Sequence, residues 1–160
     1  MTDENYALAT NNLDKIAFGG AEKKVYLQQV KLDSDGRLDC EGDQQLAMQF
    51  NSAVTRVEFV GAKYLLAASE DTSVQLMDLE SGKVKNFTQQ GHQCSVRNAA
   101  LDPKIDICAS VGCDGTLLMH KVADCDYISK RKIAEKTLNF APQTLALKWS
   151  QDGQALFAAG

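Results

Sequence analysis

Short apolar segments alternate with polar turns along the whole chain, and helical periodicity is poor throughout. Three segments share one pattern, in which an apolar strand passes through an acidic turn into a second apolar strand: 16–30 (IAFGGAEKKVYLQQV), 65–79 (LLAASEDTSVQLMDL) and 108–122 (CASVGCDGTLLMHKV). Aligned without gaps, the acidic turn residues are Glu22, Asp71 and Asp114, which are 49 and 43 residues apart. This recurrence predicts one β-hairpin that is repeated three times.

Each hairpin is flanked by further short apolar segments. The preceding segments are 6–9, 57–60 and 98–101, and the following ones are 46–50, 84–88 and, less clearly, 132–137, with 127–136 read as a charged outer strand and its loop. A fourth copy begins at 145–149, and its Trp149 occupies the place of Leu101. Four short strands every 43 to 49 residues predict the blades of a β-propeller. A β-sandwich is the alternative from periodicity alone, but its strands do not recur in so regular a register.

The predicted fold is therefore all-β, with about three and a half four-stranded blades within residues 1–160. The expected blades are 5–50, 51–90 and 91–140, with the start of another at 141–160. Closed propellers have about 4 to 8 blades, so we expect the chain to be part of a longer protein.

Charge and composition argue against several classes of function. Lys and Arg number 17 and Asp and Glu 21, for a net charge of -4, which argues against a generally basic nucleic-acid surface. No apolar run approaches the roughly 18 residues of a membrane-spanning helix, and no signal peptide is visible. The five cysteines lack the paired spacing of zinc ligands, so we expect free thiols in a reducing compartment and no metal or cofactor.

One repeat carries a recognisable set of polar residues. Gly91-His92, Leu101-Asp102-Pro103, Ala109-Ser110 and Cys113-Asp114-Gly115 follow one another in the order of a WD repeat, which this segment resembles. In that family a His, a Ser or Thr, an Asp and a Trp form a hydrogen-bonded tetrad. The resemblance implies a structural tetrad of His92, Ser110 and Asp114, with His120 at the Trp place.

A buried carboxylate needs hydrogen-bond partners, and we expect Asp114 to be buried against His92 and the turn amides. The same His92, Ser110 and Asp114 could be read as a catalytic set. We favour the structural interpretation because all three match the tetrad.

The other copies are degenerate. The second has Asp71 but Met77 at the Trp place and Asn51-Ser52 where a His would stand, and the first has Glu22 and Gln28.

The acidic stretch 32–43 is expected to be a solvated, mobile loop, with a docking site for a basic peptide as the alternative. Lys130, Arg131, Lys132 and Lys136 are expected on a solvated outer strand.

The order of degenerate and intact repeats resembles a particular family. Segments 50–59, 65–103 and 107–122 are similar to the N-terminal propeller of the replisome adaptors that comprise the acidic nucleoplasmic DNA-binding protein and the chromosome transmission fidelity factor. This resemblance implies a nuclear, non-catalytic scaffold that links the replicative helicase to the primase-polymerase and reaches chromatin through its partners. It implies no membrane contact, and oligomerisation through regions outside this chain. No binding residues are carried over.

Two other classes remain open. One is a generic WD-repeat scaffold of another nuclear or cytoplasmic complex, such as a ubiquitin ligase adaptor or an RNA-processing assembly. The other is an enzyme, for example a propeller hydrolase, but the sequence has no Gly-rich phosphate loop, nucleophile elbow or metal-spaced acid cluster.

Overall fold

The computed structural model describes residues 5–11, 14–87, 91–132 and 146–159. Within these residues the chain forms 14 strands and no helix, so none that could span a membrane. The prediction of an all-β fold is confirmed.

The strands form three four-stranded sheets and one two-stranded sheet, all antiparallel between neighbours. The first sheet contains β1 (Asn5–Thr10), β2 (Lys15–Gly20), β3 (Lys24–Leu32) and β4 (Leu38–Gln49). The second contains β5 (Val54–Val60), β6 (Tyr64–Ser69), β7 (Val74–Asp78) and β8 (Val84–Asn86). The third contains β9 (Val96–Leu101), β10 (Ile107–Gly112), β11 (Thr116–Lys121) and β12 (Tyr127–Lys132). The fourth described sheet contains β13 (Ala146–Trp149) and β14 (Leu156–Ala159).

The three predicted hairpins have the same register. The last strand pairs before their turns are Gly19–Val25, Ala68–Val74 and Val111–Leu117, which are equivalent positions of the sequence repeat. Each turn also has one residue with positive φ at the same place: Lys23 at 64°, Thr72 at 77° and Gly115 at 72°. The repeat therefore fixes backbone conformation as well as apolar pattern.

Successive sheets pack through their first strands: β1 contacts β5, β5 contacts β9, and β9 contacts β13. The second sheet covers the first with Leu65 and Ala67 and the third with Leu66 and Leu76, so both of its faces are buried. In a two-sheet sandwich each sheet buries only one face. The observed stack is therefore compatible with a partial propeller.

Apolar side chains fill the spaces between the sheets. Between the first and second sheets lie Ala7, Ala17, Val25, Met48, Phe50, Val54, Val57, Leu65 and Ala67. Between the second and third lie Leu66, Ala68, Val74, Leu76, Phe87, Val96, Ala99, Leu101, Cys108 and Val122. Between the third and fourth lie Ala100, Ala109, Leu117 and Leu147. Burial of this surface stabilises the stack by roughly 25 cal/mol per Å².

The acidic stretch 32–43 is not the loop that the sequence predicts. Strand β3 continues to Leu32 and pairs with β4, so that Leu32 lies opposite Leu38 and Val30 opposite Cys40. Only the tip is a turn, where the Asp33 carboxylate accepts the N–H groups of Asp35 and Arg37 at 2.9 and 2.8 Å. Antiparallel pairing satisfies the backbone of this polar segment, so no apolar core is needed to order it. Residues 30–43 are called the acidic arm.

The outer strand of the third sheet, β12, lies within the segment 127–136 that the sequence predicts as a charged outer strand and its loop. It begins at Tyr127, and its exposed residues include Lys130 and Arg131, in agreement with a solvated outer strand. Residue Lys136 and most of 132–137 lie outside the described residues. The blade boundaries stay predictions.

Candidate functional site

The four residues of the predicted tetrad lie in the third sheet or in the segment that enters it. His92 precedes β9, Ser110 is on β10, Asp114 is in the β10–β11 turn and His120 is on β11. Nε2 of His92 and Oγ of Ser110 share a hydrogen bond of 2.8 Å. Only 8% of His92 and 2% of Ser110 is exposed, so this contact is internal.

The imidazole of His92 is neutral at pH 7. Burial lowers its pKa to about 4, although the negative charge of Asp114 acts in the opposite direction. The neighbouring His120 lowers the pKa of His92 further. A neutral imidazole carries one donor and one acceptor nitrogen, which suits a hydrogen bond with a hydroxyl group.

The expectation that Asp114 is buried is wrong, because its side chain is exposed at the end of the hairpin. Its Oδ1 accepts the N–H of Thr116 at 2.9 Å. Partial burial by itself raises the pKa of Asp114, but hydrogen bonds from Thr116 and from the Cys94 thiol outweigh it and hold the pKa below its ordinary value. A turn at the end of two strands supplies amide donors without enclosing the carboxylate. Asp114 thus stabilises the turn from the surface.

Gly112 allows three polar side chains to meet above the end of β10. A Cβ at this position would lie 2.8 Å from Nδ1 of His92, 2.8 Å from Sγ of Cys94 and 3.0 Å from Oδ1 of Asp114. Such distances are shorter than packing allows, so a larger residue would push the group apart. The sequence contained a signal for this position, since Gly20 and Ser69 are its small equivalents in the other copies.

His120, at the place of the tetrad Trp, is 1% exposed. Its ring centroid lies 5.9 Å from that of Phe87 and 6.0 Å from that of Tyr127, the latter in an edge-on arrangement. The imidazole therefore fills part of an aromatic site between the second and third sheets. It pairs across the strands with Cys108 rather than with Ser110.

The second sheet reproduces the carboxylate–turn contact, with the N–H of Ser73 at the place of Thr116. The carboxylate of Asp71 accepts the N–H of Asn51 at 2.5 Å, the N–H of Ser73 at 3.0 Å and the Ser73 hydroxyl. Burial alone raises the pKa of Asp71, but these hydrogen bonds and one from Ser69 bring it below the ordinary value. The backbone N–H of Asn51, from the segment that enters the second sheet, is a further donor.

The first sheet uses Gln28 at the equivalent of the Trp place. Its side-chain amide donates to the carbonyl oxygens of Glu41 and Gly42 at 3.0 and 3.2 Å, and only 5% of it is exposed. These contacts lie where the β3–β4 register shifts, so Gln28 anchors the base of the acidic arm. Glu22, the turn residue of this sheet, is exposed.

Sequence reasoning assigned no role to Asp102, which is 5% exposed. Its Oδ1 accepts the N–H groups of Asp106 and Ile107, each at 2.7 Å, and so closes the β9–β10 turn. The Asp-Pro pair after a strand was the available signal, because Asp commonly accepts from turn amides two or more residues ahead.

Three side chains bind neighbouring sheets together through backbone carbonyls. Thr55 donates to Val96 at 2.8 Å, Lys85 donates to Val122 at 2.6 Å, and the indole N–H of Trp149 donates to Ala100 at 3.3 Å. Because hydrogen bonds depend on orientation and apolar contacts do not, these three bonds help to fix how neighbouring sheets lie against each other.

The His92–Ser110 pair has the arrangement of a base beside a hydroxyl nucleophile, but it lies in the interior. A substrate must reach the nucleophile, and a hydroxyl that is 2% exposed offers no such access. Within the described residues, no three His, Cys, Asp or Glu side chains are arranged to hold a metal ion. The geometry favours a structural role for these residues.

Known proteins give no family assignment. No protein-family model matches the sequence, and no curated protein matches it. The WD-repeat resemblance therefore stays a prediction, whereas the all-β architecture of four-stranded sheets rests on the structure itself.

Proposed function

We propose that this chain is a non-catalytic protein-binding scaffold of the WD-repeat propeller type. The observation that carries the proposal is the repeated hairpin, whose register and positive-φ turn residue recur in three successive sheets. Stacks of this kind expose turns and outer strands at their rims, and such surfaces suit the docking of peptides and of partner strands. The internal position of the His92–Ser110 pair supports a scaffold over an enzyme.

We further propose that the scaffold acts as a replisome adaptor in DNA replication and chromosome cohesion. The support is the sequence order, which resembles that of the adaptor family. A first repeat without tetrad residues is followed by a second that ends in Met77-Asp78-Leu79, and then by Gly91-His92 and the hairpin Cys113-Asp114-Gly115. Its proposed partners are subunits of the replicative helicase and of the primase-polymerase, in the nucleus. A net charge of -4 favours chromatin association through these partners rather than through direct DNA contact.

Affinity purification of the tagged full-length protein from S-phase nuclei, followed by mass spectrometry, tests this function. We expect helicase and primase-polymerase subunits, enriched over a parallel purification from G1 nuclei. Recovery of ubiquitin ligase or RNA-processing subunits in their place, from nuclear or cytoplasmic extract, would contradict the replisome role and support the generic scaffold.

A further inference from the structure

An apolar groove lies on the first sheet beside the acidic arm. It has a volume of about 450 Å³, and its lining includes Leu8, Ile16, Val30, Leu32 and Leu38. Three of these are the most exposed large apolar side chains in the described part of the chain: Leu8 at 72%, Leu38 at 70% and Leu32 at 68%. Exposed apolar side chains that cluster in one concave site indicate an interaction surface.

The charge beside this groove is negative. Residues 31–43 carry five carboxylates against the two basic side chains of Lys31 and Arg37, and Lys31 already pairs with Glu41. All residues of this segment are exposed, so their charges act on whatever approaches the groove within a Debye length of about 8 Å. An apolar site with a negative border favours a positively charged apolar partner.

The exposed leucines of the acidic arm do not lie at positions through which neighbouring sheets pack. The second sheet faces the first with Val57, Leu65, Ala67 and Met77. Their equivalents in the first sheet are Leu8, Ile16, Phe18 and Gln28, so these positions are common to the repeat. Leu32 and Leu38 have no equivalents on strands of the second and third sheets, because β7 ends at Asp78 and β11 at Lys121. The arm is therefore an addition to the repeat, and it carries two of the three exposed leucines.

We propose that this groove docks a short peptide segment of a partner protein that carries aliphatic side chains flanked by Lys or Arg. The aliphatic side chains enter between Leu8, Leu32 and Leu38, and the basic side chains face the carboxylates of the arm, such as Asp35 and Asp39. This inference rests on the proposed scaffold function and specifies the partner chemistry of one surface.

Fluorescence anisotropy with the complete chain tests the inference. The probe is a labelled synthetic peptide, KRGLSILGRK, and the matched peptides are EEGLSILGEE, with reversed charge, and KRGSSSSGRK, without apolar side chains. We expect micromolar binding of the first peptide, at least about tenfold tighter than of the other two. Its affinity should fall as salt is raised, because the basic–acidic attraction is screened.

Two double variants assign the binding to the groove. Leu32→Ser with Leu38→Ser should weaken binding about tenfold or more, and Asp35→Asn with Asp39→Asn should weaken it and reduce its salt dependence. The matched control is Val84→Ser with Phe157→Ser, which removes exposed apolar side chains elsewhere and should bind as the wild type does. All these positions are exposed, and circular dichroism verifies that the variants fold.

Equal binding by the leucine variant, or of all three peptides, would overturn the inference. So would a wild-type dimer in light scattering that the leucine variant converts to a monomer, since a second copy would then occupy the groove.

The outcome is separable from that of the replisome proposal. If the peptide fails to bind but the full-length leucine variant still recovers helicase and primase-polymerase subunits, only the groove assignment is wrong. If the peptide binds in a leucine-dependent manner but the full-length protein does not recover those subunits, the groove assignment holds and the replisome proposal is wrong.

Discussion

The buried imidazole of His92 makes stability depend on pH. In the unfolded chain this side chain titrates near the ordinary pKa of 6.5, whereas in the folded protein burial lowers the value to about 4. Between these values the unfolded state binds more protons, so the free energy of unfolding decreases as the pH falls from 6.5 to 4. The decrease is up to about 3 kcal/mol. Urea unfolding at several pH values in this window measures it.

Replacement of His92 tests whether its imidazole causes this pH dependence of stability. His92→Gln should have a smaller pH dependence than the wild type in this window. Asp71→Asn is the control, because the pKa of Asp71 lies below its ordinary value of 3.8 and that group loses its contribution only at lower pH. A His92→Gln protein with the wild-type slope would contradict the prediction.

Thr72 occupies a backbone conformation that suits glycine. Its φ is 77°, and a β-branched residue in the left-handed region is strained by roughly 1–2 kcal/mol. Thr72→Gly should therefore raise the free energy of unfolding by about 1 kcal/mol, after the larger entropy of the unfolded glycine chain is subtracted. Thr72→Ala retains the Cβ and should not gain stability. Denaturant unfolding of the two variants compares them, and equal stability would remove backbone strain as the explanation.

The sequence predicted one side-chain contact of the third sheet and missed the environment of a neighbouring residue. The resemblance to a WD repeat led us to expect His92 beside Ser110, and the two side chains share a hydrogen bond. The same resemblance led us to expect a buried Asp114, which is wrong. Turn amides can hold a carboxylate in solvent as well as in the interior. Gly112 was overlooked although its equivalents Gly20 and Ser69 are also small, because the side chains that it accommodates come from segments outside the hairpin or from its turn.

At the level of elements, the acidic arm is separable from the sheet that carries it. Its residues from Lys31 to Asp39 are all exposed. Replacement of 31–39 by Asn-Gly would join Val30 to Cys40, which already face each other, through a two-residue hairpin turn. We expect the free energy of unfolding to change by no more than about 0.5 kcal/mol. Thermal unfolding measures the change, and a loss of several kcal/mol would mean that the arm supports the fold.

The repeated hairpins were predictable because both of their strands carry buried apolar residues at fixed positions. The arm was not, because its alternation of apolar and polar residues is limited to 30–32 and 38–40, among acidic residues, and its order depends mainly on backbone hydrogen bonds. The outer strand β12, in contrast, lies within the segment 127–136 that was predicted to be a charged outer strand and its loop.

At the level of the whole molecule, stability should be distributed along the stack of sheets. The fourth described sheet has two strands, and its contact with the third depends on Leu147, which is 4% exposed. Leu147→Ala should therefore increase hydrogen exchange in β13 and β14 while leaving β5 to β7 protected. Leu66→Ala, between the second and third sheets, should increase exchange in both of those sheets. Exchange monitored by mass spectrometry compares them, and a uniform increase in both variants would indicate one cooperative unit.

The pairing of Val30 with Cys40 on the acidic arm has a practical consequence for labelling. Cys40 is exposed, whereas Cys94, Cys113 and Cys125 are half-buried. Cys108 is buried, and burial raises the pKa of its thiol. Burial, together with a hydrogen bond to Cys113, likewise raises the pKa of Cys94 to about 12. Because thiolates are the species that maleimides alkylate, the wild-type chain should take up a fluorophore first at Cys40. The dye would then sit opposite a residue that lines the groove, where docking of a peptide changes its emission.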